Sequence, residues 1–273
     1  MQSRLQKFAT EIRIAQVKEF KTRGFGHIGG ALSITDCLAA LYGEIMKYDP
    51  ANPQWEDRDR LVMSKGHAGP ALYATLALKG YFPMEMLDTL NINGTHLPSH
   101  CDKNLTPGID MTTGSLGQGA STAAGLALGL KAQGKDCRVY LILGDGESQE
   151  GQVWEMALFA PAHKLGNFIA FIDNNKRQLD GYTDEICSIE PLDEKFRAFG
   201  WYTLRIDGSD PDKIVEAVND AKKNQGDKPA MIVLDTVKGA GVKKIEETKL
   251  NHHLTVSAEE GDAYIAELTA QLD

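Results

Sequence analysis

The sequence predicts an α/β fold, a parallel sheet with helices on both faces. Apolar runs at 138–143, 168–172, 202–206 and 230–234 alternate with helical patterns at 148–164, 192–199 and 210–223. The runs at 138–143, 168–172 and 230–234 are apolar at nearly every position, not at every second one, as a strand buried on both faces requires. Strands of this kind separated by helices stack side by side in parallel.

The remaining elements follow in order. Residues 3–20 read as an amphipathic helix, and 24–30 as a turn-rich stretch. A second helix is predicted over 32–46, closed by Asp49-Pro50. Residues 60–63 form a short buried strand leading into Ser64-Lys65-Gly66-His67, and 68–79 a helix ending near Gly80. Residues 91–115 have almost no periodicity and are rich in Gly, Pro, Asn, Thr and His. Uncovered stretches of that length are functional or disordered as a rule, and the polar side chains here favour function. The helix over 117–131 is dominated by Ala, Gly and Leu, which suits an interior helix and a subunit contact equally. A helix over 257–272 follows the last strand. With no repeat, low-complexity segment or linker, residues 1–273 read as a single domain.

Composition excludes some function classes. A formal net charge of −9 argues against nucleic acid or an anionic membrane as partner, since phosphate backbones need a basic footprint. No apolar run approaches the roughly 20 residues of a membrane-spanning helix, and 1–20 mixes charged and apolar residues unlike a signal peptide. Cys37, Cys101, Cys137 and Cys187 are widely spread without a CxxC pair. That pattern suits a reducing compartment, so the expected location is cytoplasmic.

Chemistry concentrates at two strand ends. In open parallel sheets, ligands bind beyond the carboxyl ends of the strands. The 138–143 strand runs into Gly144-Asp145-Gly146-Glu147, and the 168–172 strand into Asp173-Asn174-Asn175-Lys176. An acid and an amide at neighbouring strand tips supply the hard oxygen ligands that Mg²⁺ takes, with water and ligand phosphates completing the octahedron. Gly144 and Gly146 leave room for a phosphate at the backbone. A helix starting near Ser148 is expected to aim its positive end at the same spot.

Asp145-Gly146 followed by Asn175 across one strand–helix–strand unit resembles the signature of thiamine-diphosphate enzymes. Further blocks narrow the resemblance: Gly26-His27, Ser64-Lys65-Gly66-His67-Ala68, Thr112-Thr113-Gly114-Ser115-Leu116-Gly117-Gln118-Gly119, and Gly144 through Gly151. Lys164-Leu165-Gly166-Asn167, Asp180-Gly181 and Lys238-Gly239-Ala240-Gly241 complete the series. In this order they resemble the N-terminal, diphosphate-binding domain of transketolase along essentially the whole chain.

The resemblance implies a thiamine-diphosphate-binding fold and a set of roles. Asp145, Asn175 and the backbone carbonyl of Arg177 would hold Mg²⁺, for which Ca²⁺ or Mn²⁺ can substitute. Gly144, Asp145, Gly146, Glu147, His67 and His252 would surround the diphosphate and its metal. Gly114, Ser115 and Leu116 would line the aminopyrimidine. Glu150 matches an acid that faces the activating glutamate of a neighbouring site. His27, His67, His100 and His252 would serve catalysis, because an alkoxide develops that must be stabilised and protonated, and a donor hydroxyl must lose a proton.

Of the 7 histidines, His96 and His163 read as solvated loop residues. Three local departures from the family stand out. Ile28-Gly29-Gly30 follows His27 where relatives commonly have a proline. His100 sits in Ser-His-Cys, and Asn251-His252-His253-Leu254 lacks a His-Gly pair, which leaves His252 and His253 as alternatives.

A whole transketolase carries further domains that complete its site. The resemblance therefore implies the N-terminal subunit of a split transketolase, transferring a two-carbon ketol unit from a ketose phosphate to an aldose. Its expected partner is a separate pyrimidine-domain subunit, in an α2β2 assembly. A related ketolase or deoxyxylulose-phosphate-type synthase subunit is the near alternative, and a non-catalytic binding relic the distant one.

Overall fold

The structure, a computed structural model, describes residues 2–272; Met1 and Asp273, the ends of the domain read from sequence, lie outside the described residues. Helix α1 (Arg4–Arg23) opens with a capping box, in which Ser3 accepts from the Gln6 amide and Gln6 answers at Ser3. It closes at Gly24, whose φ of 88° suits the left-handed cap position. Strand β1 (Phe25–Gly26), α2 (Ile28–Ser33) and α3 (Thr35–Ala40) follow, then a π-turn at Leu41–Ile45.

The single helix predicted over 32–46 is thus in pieces and begins earlier. Gly29 and Gly30 explain the early start, because both lie against neighbours that leave little room for a side chain. A Cβ on Gly29 would strike the Asn251 carbonyl, and one on Gly30 would stand 3.3 Å from His67 Nε2.

Next come β2 (Arg60–Met63), a 3-10 turn at Gly66–Ala68, and α4 (Gly69–Leu78) with Pro70 in its first turn. Residues 91–115 contain no helix or strand. Then follow α5 (Gln118–Ala132), β3 (Val139–Gly144), α6 (Gly151–Ala162), β4 (Phe168–Asn174), α7 (Thr183–Ile186), α8 (Leu192–Ala198) and β5 (Tyr202–Asp207). The order ends with α9 (Pro211–Asn224), β6 (Ala230–Asp235), α10 (Lys243–Glu247), β7 (Leu254–Thr255) and α11 (Ala258–Thr269).

Five strands pair in parallel in the order β2-β3-β4-β6-β5. Successive residues of a strand point to opposite faces, so each apolar run feeds two cores. Tyr140, Ile142, Ile169, Phe171, Ile232 and Leu234 pack on one face with α1, α3, α4 and α9. Leu141, Leu143, Phe168, Ala170, Ile172 and Val233 pack on the other with α5, α6 and α8. Each large side chain buried this way contributes roughly 1.5–3 kcal/mol.

The small residues of α5 divide between two faces. Ala120, Ala123, Ala124 and Ala127 are buried against the sheet, while a Cβ on Gly125 or Gly129 would meet open space.

A second, two-stranded sheet joins β1 to β7 antiparallel, Phe25 opposite Thr255 and Gly26 opposite Leu254. It ties the C-terminal segment to the first loop. Among the described residues no helix is long and apolar enough to cross a membrane.

Candidate active site

Strands β3 and β4 are neighbours with Gly144 paired to Asp173, so their tips set Asp145 and Asn175 side by side. These tips floor a cavity of about 330 Å³. Its lining includes His27, Lys65, His67, His100, Gly114, Leu116, Gly144, Asp145, Gly146, Glu147, Glu150, Asn175, Arg177, Lys238 and His252. Residues spread over the whole chain thus converge on one hollow. Ser115 is exposed beside it.

Asp145 is 2% exposed. One carboxylate oxygen accepts from the Gly146 amide at 2.7 Å, and the other is buried without a hydrogen-bond partner. Burial, then the charge of Asp173, pushes its pKa up to about 7. A buried carboxylate oxygen lacking a donor is costly, and a cation in the cavity removes that cost.

The Asn175 side-chain N–H donates to Asp173 at 3.0 Å, and its carbonyl oxygen accepts the Arg177 amide at 3.1 Å. A carbonyl keeps a second lone pair, so Asn175 can still ligate. The Arg177 carbonyl accepts from Lys238 Nζ at 3.0 Å. Among the described residues no group of three or more His, Cys, Asp or Glu is placed to hold a metal. The donor set on hand, one carboxylate, one amide oxygen and one backbone carbonyl, fits a hard cation that draws its other ligands from water and phosphate.

Cations line the deep side. The Lys65 ammonium is ion-paired to the fully buried Asp173, which also accepts from Ser33 at 2.6 Å and from Thr236. Burial works to raise the Asp173 carboxyl, but Lys65 and the two hydroxyls outweigh it and hold it below its ordinary value. Lys238 Nζ stands 3.0 Å from His252 Nδ1. Burial and then Lys65 bring Lys238 down to about 8.

The histidines form one cluster. The His27 ring lies 5.6 Å from His67, 5.5 Å from His100 and 5.3 Å from His252, and His67 lies 4.8 Å from His252. Burial, followed by neighbouring His253, His100 and Lys238, lowers His27 to about 4. Burial and then Lys238 lower His252 to about 3. Burial depresses His67 and His100 as well. At neutral pH the four rings are therefore neutral, each with one ring N–H to donate and one bare nitrogen to accept a hydrogen bond. His252 lines the cavity, while His253 is exposed beside Phe25, 5.6 Å between rings. His96 is exposed near the Leu105 carbonyl and His163 is exposed beside Phe159, both outside the cavity lining.

Two expectations change. The helix predicted from 148 begins at Gly151, after a 3-10 turn at Gly146–Gln149 and an extended Glu150. The amides of Gly146, Ser148 and Glu150 bond to Asp145 or Glu147, so the turn before α6 spends these donors locally.

Glu147, expected at the diphosphate, is 3% exposed. Its carboxylate accepts from Ser64 Oγ at 2.5 Å, Gly117 N at 2.9 Å and Gly144 N at 3.0 Å. It braces the glycine loop from beneath. Glu150 is exposed on the rim, and Leu116 is 38% exposed there.

Sequence reasoning gave no role to Lys65, Lys238 or Asp173. The two lysines stood inside quoted blocks and Asp173 inside the Asp-Asn-Asn run, but a buried ammonium paired to a buried carboxylate shows only in three dimensions.

Three comparisons bear on this site. The chain is 56% identical over 264 residues to the 6-deoxy-6-sulfo-D-fructose transketolase subunit SqwG of Clostridium sp. (strain MSTE9), covering 97% of this chain and 96% of that one. It is 38% identical over 248 residues to one of the apulose-4-phosphate transketolase subunits of Phocaeicola vulgatus, covering 91% and 88%. The solved transketolase of Leishmania mexicana superposes with a TM-score of 0.89 at 31% identity, over 100% of this chain but 42% of that longer one. The family model for the transketolase, thiamine diphosphate binding domain, matches residues 5–271. The chain belongs to that family, the transketolase domain that binds thiamine diphosphate.

Proposed function

We propose that this chain is the diphosphate-binding subunit of a split transketolase. It transfers a two-carbon ketol unit from a ketose with an acidic end group to an aldose acceptor. The observation that carries this reading is the partnerless Asp145 oxygen facing a cavity walled by two lysines and four neutral histidines. Relatives of matching length named as subunits support the split. The named donor of the 56% identical relative, a sulfonated fructose, supports an acid-terminated sugar.

Asp145, Asn175 and the Arg177 carbonyl would hold Mg²⁺. Lys65, Lys238, His67 and His252 would bind the diphosphate, and the Gly114–Leu116 segment would line the aminopyrimidine. Bound thiamine diphosphate supplies a nucleophilic carbon that no amino-acid side chain provides.

The polypeptide handles protons and orientation. His27 and His100, neutral and 5.5 Å apart between rings, stand where donor oxygens enter. They accept a hydroxyl proton and return one to the developing alkoxide. Positioned proton transfer of this kind contributes roughly 10²–10⁴-fold. Glu150 on the rim faces the pyrimidine-domain partner, where it couples the two sites of an α2β2 assembly.

The test is reconstitution. The chain, its pyrimidine-domain partner, thiamine diphosphate and Mg²⁺ are mixed, and ketol transfer from D-fructose 6-phosphate and 6-deoxy-6-sulfo-D-fructose is followed. Transfer requiring both proteins supports the reading. Transfer by this chain alone, or none from any ketose, overturns it.

A further inference from the structure

Arg177 serves the candidate metal site through its backbone carbonyl, and its side chain is occupied elsewhere. Nη1 of the guanidinium donates to the carbonyls of Glu246 at 3.1 Å and Thr248 at 3.0 Å. Both belong to the end of α10, where a helix leaves oxygens without an amide partner. The guanidinium carbon also lies 5.2 Å from the centre of the Tyr182 ring, across the bridge that pairs Arg177 with Tyr182. A planar fork resting on an aromatic face is ordered before it meets its acceptors.

The carbonyls it holds lead to His252, just beyond Thr248. At the far end of this stretch Asn251 donates to the Lys238 carbonyl at 2.9 Å and to the Ile245 carbonyl at 2.8 Å. Between the two anchors Lys249 and Leu250 are exposed, so burial of their side chains does not fix the stretch. The anchors do.

A second path runs from His252 back to Arg177. Lys238 Nζ stands 3.0 Å from the Arg177 carbonyl and 3.0 Å from His252 Nδ1. An ammonium offers donors only, so His252 Nδ1 accepts. The ring's one N–H is then Nε2, available to a ligand in the cavity that His252 lines. We infer that the Arg177 side chain is a positioning residue. It holds the 248–252 stretch so that His252 presents Nε2–H to the diphosphate, beside the cation that the Arg177 carbonyl would ligate. The inference rests on the diphosphate reading of this cavity.

The test measures binding of Mg²⁺ with inorganic pyrophosphate to the full chain by titration calorimetry. Wild type, Arg177→Leu, His252→Ala and the double variant are compared. Leucine keeps the backbone carbonyl and removes the donors. Arg177→Leu is expected to weaken binding roughly 10-fold, the lower end for a residue that orients a ligand-binding neighbour, and His252→Ala at least as much. In the His252→Ala background the added Arg177→Leu is expected to cost less than about 2-fold, because the interaction it served is gone. A loss of similar size in both backgrounds, as a general loss of structure or of positive charge would give, overturns the positioning role. So does an unchanged affinity in Arg177→Leu.

A second measurement is ¹⁵N NMR of the His252 ring, which should show the Nε2–H tautomer in wild type and a mixture in Arg177→Leu. The same single tautomer in both overturns the role. Failure of wild type to bind the probe overturns the diphosphate assignment and this role with it, whereas ketol transfer is read separately by reconstitution.

Discussion

Replacing Asp145 by Asn separates a ligand carboxylate from a structural one. In the chain by itself, burial and Asp173 raise Asp145 from 3.8 to about 7. Ionising it in place then costs about 4 kcal/mol, at 1.36 kcal/mol per pH unit. The folded-state pKa exceeds the unfolded one, so the carboxyl's contribution is fully present below pH 3.8 and is lost as pH rises through about 7.

Asparagine carries no such loss. Relative to wild type, Asp145→Asn should therefore gain up to about 4 kcal/mol between pH 4 and pH 8. At pH 8 that is about 8 °C in melting temperature for a chain of this size. Mg²⁺ with inorganic pyrophosphate, a probe that needs only this chain's half of the site, should close most of that gap at pH 8. Wild type gains about 2.7 kcal/mol at 100-fold over Kd, and the variant gains little. Thermal melts at pH 5 and pH 8, with and without the probe, read both effects. A wild-type-to-variant difference that is flat in pH, or equal stabilisation of both by the probe, refutes the reasoning.

Three further outcomes are expected. His27 and His252, held near 4 and 3, refuse protons that the unfolded chain binds at about 6.5, so stability falls as pH drops from 6.5 toward 4. A His27→Gln/His252→Gln variant should show a flatter urea midpoint over that range. Glu147→Ala strands the donors of Ser64, Gly117 and Gly144 and should cost about 2–4 kcal/mol in urea unfolding; an unchanged midpoint would remove its bracing role. Gly66→Ala would set a Cβ 2.9 Å from the Gly114 amide, pushing the loop that lines the aminopyrimidine. Thiamine diphosphate binding by the reconstituted complex should weaken at least 10-fold, read by cofactor titration, with the melting temperature of the chain alone little changed.

What the sequence shows and what it hides divide along a physical line. Buried parallel strands must be apolar on both faces, so the runs that became β3, β4 and β6 stand out. Because turn residues follow directly, Asp145 and Asn175 could be set at strand tips before any coordinates. Helix interruptions were not legible. The piecewise α2–α3 region depends on Gly29 meeting the Asn251 carbonyl, a contact across the whole chain. The 3-10 turn before α6 depends on Asp145 and Glu147 taking amides locally, and short polar turns carry no periodicity.

The deepest gap concerns the two-residue strands β1 and β7. Each is too short for any pattern of alternation, and one half of the pair lies some 230 residues from the other. Yet this ribbon decides what the adjacent His252 and His253 can do. Its register sets His253 opposite His27 on the outside, and the neighbouring His252 turns inward to Lys238 at 3.0 Å. The choice between the two histidines, open in the sequence, is thus a question of strand pairing. A shift of one residue would exchange their faces and aim His253 at the diphosphate side. Substituting Leu254 by proline, which withdraws a backbone donor from the ladder, should therefore disturb the inner and outer histidines together.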